Sequence, residues 1–208
     1  MNKEFDYIVI GAGIAGCCLA YFLSKYSKSI LLIDRNSQVA FGASGAAGAF
    51  LSPLLGKPND FKDLVTKSLI FSTNFYKNLG EELVSNCGVC RIPKNEEDRD
   101  KFESYKPYMD FKYTQMDDGY FFEIGSQVTP SLICEKLTKD IEKKLSYNVI
   151  KLEQNENSTW IINDEICAKN IILTTGADVK HIKEDYFDIR GVWGQKIDVS
   201  TTTETKIN

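Results

Sequence analysis

The run Gly11-Ala12-Gly13-Ile14-Ala15-Gly16 has the glycine spacing of a dinucleotide-binding loop. The chemistry it serves is phosphate binding. The first glycine permits a tight turn, the second lets backbone approach a pyrophosphate, and the third lets a helix pack on a strand. Such a loop needs a strand before it and a helix after it, because the free N–H groups and positive dipole end of the helix receive the phosphate. The sequence supplies both. Residues 7–10 are a continuous apolar run, as in a parallel strand buried on both faces, and residues 14 to about 26 read as a helix. A second apolar run over 29–33 ends on Asp34, where a carboxylate accepts hydrogen bonds from ribose hydroxyls. This β-α-β unit predicts dinucleotide binding, and a glycine-rich turn used only for packing is the plainer alternative. The fingerprint serves NAD and FAD alike.

Two more segments offer bare backbone to a ligand. Gly42-Ala43-Ser44-Gly45-Ala46-Ala47-Gly48 has side chains small enough for N–H groups to crowd a pyrophosphate or a flat ring; otherwise it is a flexible connection. Thr174-Thr175-Gly176-Ala177 follows a buried strand and reads the same way, against a turn without a ligand. Arg91 and Arg190 have the chemistry to hold a carboxylate, with a surface or structural role as the plainer reading. Cys87 and Cys90 have the spacing of a redox pair or half a zinc site, but no second such pair and no thioredoxin-like context accompanies them. Cys17 and Cys18 fall on the first helix, where small residues pack on the sheet. His181 is the single histidine, which argues against a His-based triad or a multi-His metal site; its polar surroundings suit the surface. Trp193 reads as a core residue of a strand, with stacking on a ligand as the alternative. Lys62, Lys67 and Lys77 read as the polar face of a helix, with nucleic-acid phosphates as the alternative. No catalytic side chain is identified, and no metal site is expected.

The remaining elements must position these segments. Residues 60–79 have helical periodicity, with Phe61, Leu64, Val65, Ser68, Ser72, Phe75, Tyr76 and Leu79 on one face. Asp60 suits the N-cap and Gly80 the stop. The stretch 41–56 reads as a loop. Strands are expected at 88–92 and 120–123, with the charged run 96–101 on a solvated helix face or loop. A helix starts at Pro130 and is expected to run to about 145. Strands are expected at 147–152, 159–162, 165–168 and 171–174, and another from 191 to about 200. The alternation predicts an α/β fold with a Rossmann-type parallel sheet.

At 208 residues the chain predicts one domain, or one and a half. Hydrophobic residues at 43% and charged residues at 26% argue against disorder, collagen and coiled coil. A net charge of −4 argues against a strongly basic nucleic-acid binder but leaves room for a local basic patch. Six cysteines in a chain with an ordinary core point to reduced thiols and a cytoplasmic location. Residues 7–23 are apolar or small, and 14–17 imitate a lipoprotein cleavage site. Glu4 and Asp6 stand where a signal peptide needs positive charge, and the stretch is short for a span, so neither export nor membrane insertion is expected.

With these motifs together, the chain resembles FAD-dependent amine oxidoreductases of the D-amino-acid-oxidase and glycine-oxidase type. The residues that carry the resemblance are the glycine loop, Asp34-Arg35, Gly42-Ala43-Ser44-Gly45, Thr175-Gly176-Ala177 and Arg190-Gly191-Val192-Trp193-Gly194-Gln195. More narrowly, residues 42–49 with Ser52-Pro53-Leu54-Leu55, residues 71–79, Cys87-Gly88-Val89 and Gly119-Tyr120-Phe121-Phe122-Glu123 resemble the oxidoreductase part of the MnmC family of tRNA-modifying enzymes. The resemblance implies FAD as cofactor. It places FAD against Gly11, Ala12, Gly13, Ile14, Ala15, Gly16, Asp34, Arg35, Gly42, Ala43, Ser44, Gly45, Gly48, Thr175, Gly176 and Ala177. It implies oxidative removal of the carboxymethyl group from 5-carboxymethylaminomethyl-2-thiouridine at the tRNA wobble position. There the flavin takes a hydride from the carbon beside the amine nitrogen, and water hydrolyses the imine. The implied substrate is tRNA, with a methyltransferase domain or protein as a companion. A small-molecule amine or amino-acid oxidase, and a dinucleotide-binding fragment without turnover, are the alternatives. The implied organisation is an FAD-binding domain over 1–80 and 131–184, and part of an inserted α+β substrate domain over 81–130 and 185–208. Enzymes of this type continue past the strand expected at 191–200, so the chain reads as the front part of a longer enzyme.

Overall fold

The computed structural model describes residues 4–116, 119–178, 189–194 and 200. In chain order the elements are β1 (Glu4–Ile10), α1 (Ile14–Leu23), β2 (Ile30–Ile33), the single-turn α2 (Ala43–Ala46), β3 (Phe50–Leu51), α3 (Asp60–Leu79), β4 (Val84–Ser85), β5 (Val89–Arg91), α4 (Glu96–Tyr105), β6 (Thr114–Met116), β7 (Gly119–Phe122), β8 (Ser126–Val128), α5 (Pro130–Leu137), β9 (Glu142–Lys144), β10 (Leu152–Gln154), β11 (Trp160–Ile162) and β12 (Ile166–Leu173). The fold is α/β, and the described residues form two units that divide after Ala47 and after Thr129.

The first unit is built on a six-stranded sheet in the order β10-β11-β12-β1-β2-β9. β1 lies parallel between β12 and β2, with Ile8 paired to both Ile171 and Leu31. All four residues of β2 are buried, as a parallel strand covered on both faces requires. Phe5, Ile8, Ile10, Leu31, Ile33, Val149, Ile162 and Ile166 form the core on this sheet. Helices α1 and α5 pack together and bury Cys17, Ala20, Ile133, Cys134 and Leu137.

Here the sheet overrides a helical expectation. The helix from Pro130 stops at Leu137 instead of about 145, and Glu142–Lys144 instead pairs parallel to β2 as an edge strand. The open edge of β2 offers main-chain partners that a continued helix would leave unused. Similarly, the strands expected at 165–168 and 171–174 are one strand, β12, which pairs along its length with β1. Of the strand expected at 147–152, only Leu152 lies in an observed strand, β10.

The second unit holds two three-stranded sheets, β3-β8-β4 and β5-β7-β6. Phe102, Tyr120 and Phe122 are its core, with Leu55, Met109, Phe111, Tyr113 and Ile124 against them. The expected loop at 41–56 contains α2 and β3. The charged run 96–101 opens α4, capped by Asn95, whose side chain accepts from Asp98 N at 2.9 Å. Helix α3 has the expected bounds, but its N-cap is Asn59 rather than Asp60: the Asn59 side chain accepts from Lys62 N at 2.9 Å. Asp60 is the first helical residue, where its charge suits the helix dipole.

The buried face of α3 is only in part the one periodicity selects: Tyr76 is buried and Val65, Ser72, Phe75 and Leu79 are half-buried, as expected, but the rest differs. The buried residues are Lys62, Leu69, Thr73 and Tyr76, while Phe61 and Leu64 are 65% and 59% exposed. Lys62 is not a polar-face residue: its ammonium donates to Tyr108 O and pairs with Asp110 at 3.0 Å. Because α3 packs on the 3-10 turn Glu81–Leu83 and on β4, it belongs to the second unit. The sequence reading divides the chain after 80 and 130, where the units divide after 47 and 129. No helix among the described residues is long and apolar enough to cross a membrane.

Candidate functional site

The glycine loop joins β1 to α1, as the fingerprint requires. Gly11 has φ +110°, and a Cβ there would lie 2.4 Å from Thr174 O. A Cβ at Gly16 would lie 1.8 Å from Gly11 O and 2.6 Å from Thr174 Oγ1. Both glycines are thus required by the fold itself. Gly13 differs, since its Cβ would meet only Ser44 Oγ, at 3.1 Å. The space over Gly13 is the opening in the loop.

The amides at the start of a helix have no intrahelical acceptor. Two in this loop are satisfied by side chains from elsewhere: Ala12 N donates to Asp34 Oδ2 at 2.6 Å, and Ile14 N donates to Ser44 Oγ at 3.0 Å. Gly13 N and Ala15 N, on a half-buried and an exposed residue, have no acceptor among the described residues. A pyrophosphate needs such donors, so the residues present fit a dinucleotide. The other Asp34 oxygen accepts from Asn36 N at 2.8 Å and Asn36 Nδ2 at 2.9 Å. Asp34 therefore braces the loop besides standing at the end of β2.

Thr174, which the sequence reading put in the turn segment but not among the residues against FAD, supports the loop from just after β12. Its hydroxyl lies 3.0 Å from Ile10 O and 2.8 Å from Gly11 O. Cys17 does so from α1, donating from Sγ to Ala12 O at 3.4 Å. Its hydrogen bond with Cys134, then burial, push the Cys17 thiol well up, so it keeps the proton it donates. The placement of Thr174 directly before Thr175-Gly176 was the one available signal in the sequence; nothing there marked Cys17.

The other expected positions divide. Arg35 pairs with Asp178 at 2.6 Å, which ties the end of β2 to the turn after β12. That turn contains Thr175, Gly176 at φ +65° and exposed Ala177, with Asp178 N donating to Thr175 O at 3.3 Å. Gly45 is fixed by packing, since its Cβ would meet Ala40 O at 2.2 Å. Gly42, Ala43 and Gly48 are exposed, and Gly42 has open space around it. Gly48 belongs to the second unit. Trp193 is not a core residue but 98% exposed, in a described segment, 189–194, that has no regular secondary structure. Arg190 is exposed as well. His181, and the rest of the strand expected over 191–200 apart from 191–194 and 200, lie outside the described residues. None of the six cysteines is in a disulfide, and no cluster of metal-ligating side chains occurs among the described residues.

Residues 6–207 match the family described as DAO, FAD dependent oxidoreductase. Among curated proteins, the chain is 23% identical over 159 residues to the tRNA 5-methylaminomethyl-2-thiouridine biosynthesis bifunctional protein MnmC of Campylobacter fetus subsp. fetus, covering 74% of this chain and 26% of that protein. It is 33% identical over 91 residues to the glycine oxidase of Bacillus subtilis, covering 43% of this chain and 23% of that one. The glycine oxidase structure from Geobacillus kaustophilus superposes with a TM-score of 0.71 at 14% identity, over 85% of this chain and 56% of that one, and shows the same fold. The aligned segments thus cover about a quarter of the length of each of these two curated relatives. The match over nearly the whole chain, on a loop whose geometry suits a dinucleotide, places the chain in the DAO family of FAD-dependent oxidoreductases.

Proposed function

We propose that the chain binds FAD over the loop Gly11–Gly16 and serves the oxidation of the amine side chain of a tRNA wobble uridine. The observation that carries the cofactor site is the pair of free amides at Gly13 and Ala15, in a loop braced by Asp34, Ser44 and Thr174. The tRNA reading is supported by the name of the MnmC relative and the breadth of that alignment over this chain. When bound, FAD accepts the hydride from the carbon beside an amine nitrogen. The chain's own residues then have three tasks. Gly13 N and Ala15 N receive the pyrophosphate, with the α1 dipole behind them. The remaining lone pairs of Asp34 accept from the adenosine ribose while the same carboxylate holds Ala12 N. Ser44 keeps the turn at 43–46 against the helix start, and Gly45 lets that turn pass close to Ala40 O. On this reading the first unit is the FAD-binding domain and the second unit belongs to the substrate domain. A methyltransferase domain or protein is the companion, and the cytoplasm is the location.

A second reading, a glycine-oxidase-type enzyme acting on a free amine, is favoured by the higher local identity to the Bacillus enzyme. One experiment separates them. The purified chain is measured for flavin absorbance, then mixed with tRNA bearing 5-carboxymethylaminomethyl-2-thiouridine and, separately, with glycine. Bleaching of the flavin by the tRNA supports the first reading, and bleaching by glycine the second. A chain that binds flavin and is bleached by neither is a dinucleotide-binding module. No flavin binding under any condition overturns the cofactor site.

A further inference from the structure

Arg91, at the end of β5, is half-buried and has an incomplete set of partners. In the antiparallel register it stands opposite Tyr120, while Val89 stands opposite Phe122. Directly opposed residues share a face of the sheet, so Arg91 lies on the face where Tyr120 and Phe122 enter the core. Its Nη1 donates to Ser52 Oγ at 3.2 Å and to Pro53 O at 3.3 Å. Both acceptors are neutral. Among the described residues no carboxylate pairs with Arg91, whereas Lys62 has Asp110 and Lys106 has Glu103 in the same unit. Drawing a guanidinium partly out of water costs free energy that neutral acceptors offset only in part. The planar fork also has more donors than one nitrogen uses. Ser52 and Pro53 fix Nη1, and Nε and Nη2 have no acceptor among the described residues. A fork held at one nitrogen and free at two others is arranged for a two-oxygen anion.

We propose that Arg91 holds an oxyanion of the substrate and so selects substrates that carry one. The inference rests on the amine-oxidation reading for the substrate's identity. The chemistry, two oxygens sharing a negative charge, is common to the carboxylate of a carboxymethylated amine and to an RNA phosphate, and the test separates these sources. Affinity is measured by calorimetry on the full 208-residue chain. The probes are iminodiacetate, a synthetic tRNA anticodon stem-loop, and N-methylglycinamide, which has the amine but no anion. The wild-type chain is compared with Arg91→Met and Arg91→Lys.

The expected result is that Arg91→Met weakens at least one anionic probe by roughly tenfold to a hundredfold, as loss of a charge-assisted hydrogen bond implies. Arg91→Lys keeps the charge but loses the fork, and is expected to fall between Arg91→Met and wild type. The neutral amide should be unaffected. Weakening of iminodiacetate identifies a carboxylate, and weakening of the stem-loop a phosphate. Equal affinity of wild type and variants for both anions overturns the proposal, as does failure of the wild type to bind either anion. If Arg91→Met does not fold, Arg91→Lys decides alone, and unchanged affinity in that variant is the overturning result. Flavin absorbance and its bleaching by amines are read in the same samples. Their loss in the wild-type chain counts against the amine-oxidation reading, while the anion affinities still report on Arg91.

Discussion

At the scale of single residues, the three glycines of the loop have separable jobs. Gly16 is a packing residue, because its Cβ would sit 1.8 Å from Gly11 O. Gly13 is an access residue, with only a serine hydroxyl nearby. Gly16→Ala should therefore destabilise the chain itself by about 3 kcal/mol or more, the upper range for forced overpacking. Gly13→Val should abolish flavin uptake, since the branched side chain fills the space over the loop, and should lower the melting temperature of the flavin-free chain less than Gly16→Ala does, because it crowds only the Ser44 hydroxyl. Thermal melts of the flavin-free proteins and flavin absorbance after reconstitution check both, and normal flavin content in Gly13→Val would remove the pyrophosphate from this loop. Asp34 combines the two kinds of role. It accepts from Ala12 N and Asn36 N whether or not a ligand is bound. Asp34→Ala should weaken FAD by about 1.5–3 kcal/mol, the range for hydrogen bonds to a charged group. It should also lower the melting temperature of the flavin-free chain, which a residue acting on ribose alone would not do.

At the scale of elements, α3 shows where pattern and packing part. Its bounds follow from Asn59, the periodicity and Gly80, all of them local signals. Its buried face follows them only in part. Periodicity puts Phe61, Leu64 and Tyr76 inward, yet the structure buries Tyr76 together with Lys62, Leu69 and Thr73 and leaves Phe61 and Leu64 exposed. The reason is that Lys62 finds Tyr108 O and Asp110, partners 46 residues away or more, which make a buried ammonium tolerable. Replacing Phe61 and Leu64 together by Ser should change stability by no more than about 1 kcal/mol, as for exposed positions. Were they core residues, each large-to-small change would cost about 2–5 kcal/mol. Urea unfolding of the double variant distinguishes the outcomes. The same variant should also self-associate less, because exposed apolar side chains on one helix are sticky.

At the scale of the whole molecule, the central sheet joins strands from opposite ends of the sequence, and an ion pair marks the seam. Asp6 on β1 accepts from Lys169 on β12 at 2.7 Å. The bond from Lys169, and then that from Ser27, hold the Asp6 carboxyl below its ordinary 3.8, and Lys169 is raised above its ordinary 10.5 by Asp6. Glu165 is lowered in the same way by Lys144 and Tyr147. A carboxyl lowered by folding stabilises the fold above its unfolded pKa and loses that contribution as pH falls through the folded value. A raised ammonium stabilises below its unfolded pKa and loses the contribution as pH rises through the folded one. Stability should therefore be flat with respect to these groups between about pH 5.5 and pH 9.5 and fall outside that window. Lys169→Met should return the titration of Asp6 toward its ordinary range and make the acid-side fall shallower. NMR titration of Asp6 checks this, and an unchanged curve would show that the pair does not couple in solution. The pair is solvent-exposed, so 1 M salt should mute the effect.

The sequence by itself determined the β-α-β unit, the glycine loop between its strand and helix, and the bounds of α3. Each is encoded by residues near one another: apolar runs, glycine spacing, caps. It also carried enough motif to assign the family. Tertiary structure alone decided the rest. Glu142–Lys144 became a strand because β2 had a free edge. Arg35 acquired a role only through Asp178, 143 residues away, and Thr174 became a support of the loop only because β12 lies beside β1. Arg91 gained neutral partners, and no anionic one among the described residues, from Ser52 and Pro53, about 40 residues before it. The physical reason is the same in each case. A hydrogen bond or a burial between distant residues depends on which surfaces the fold brings together, and no local pattern records that.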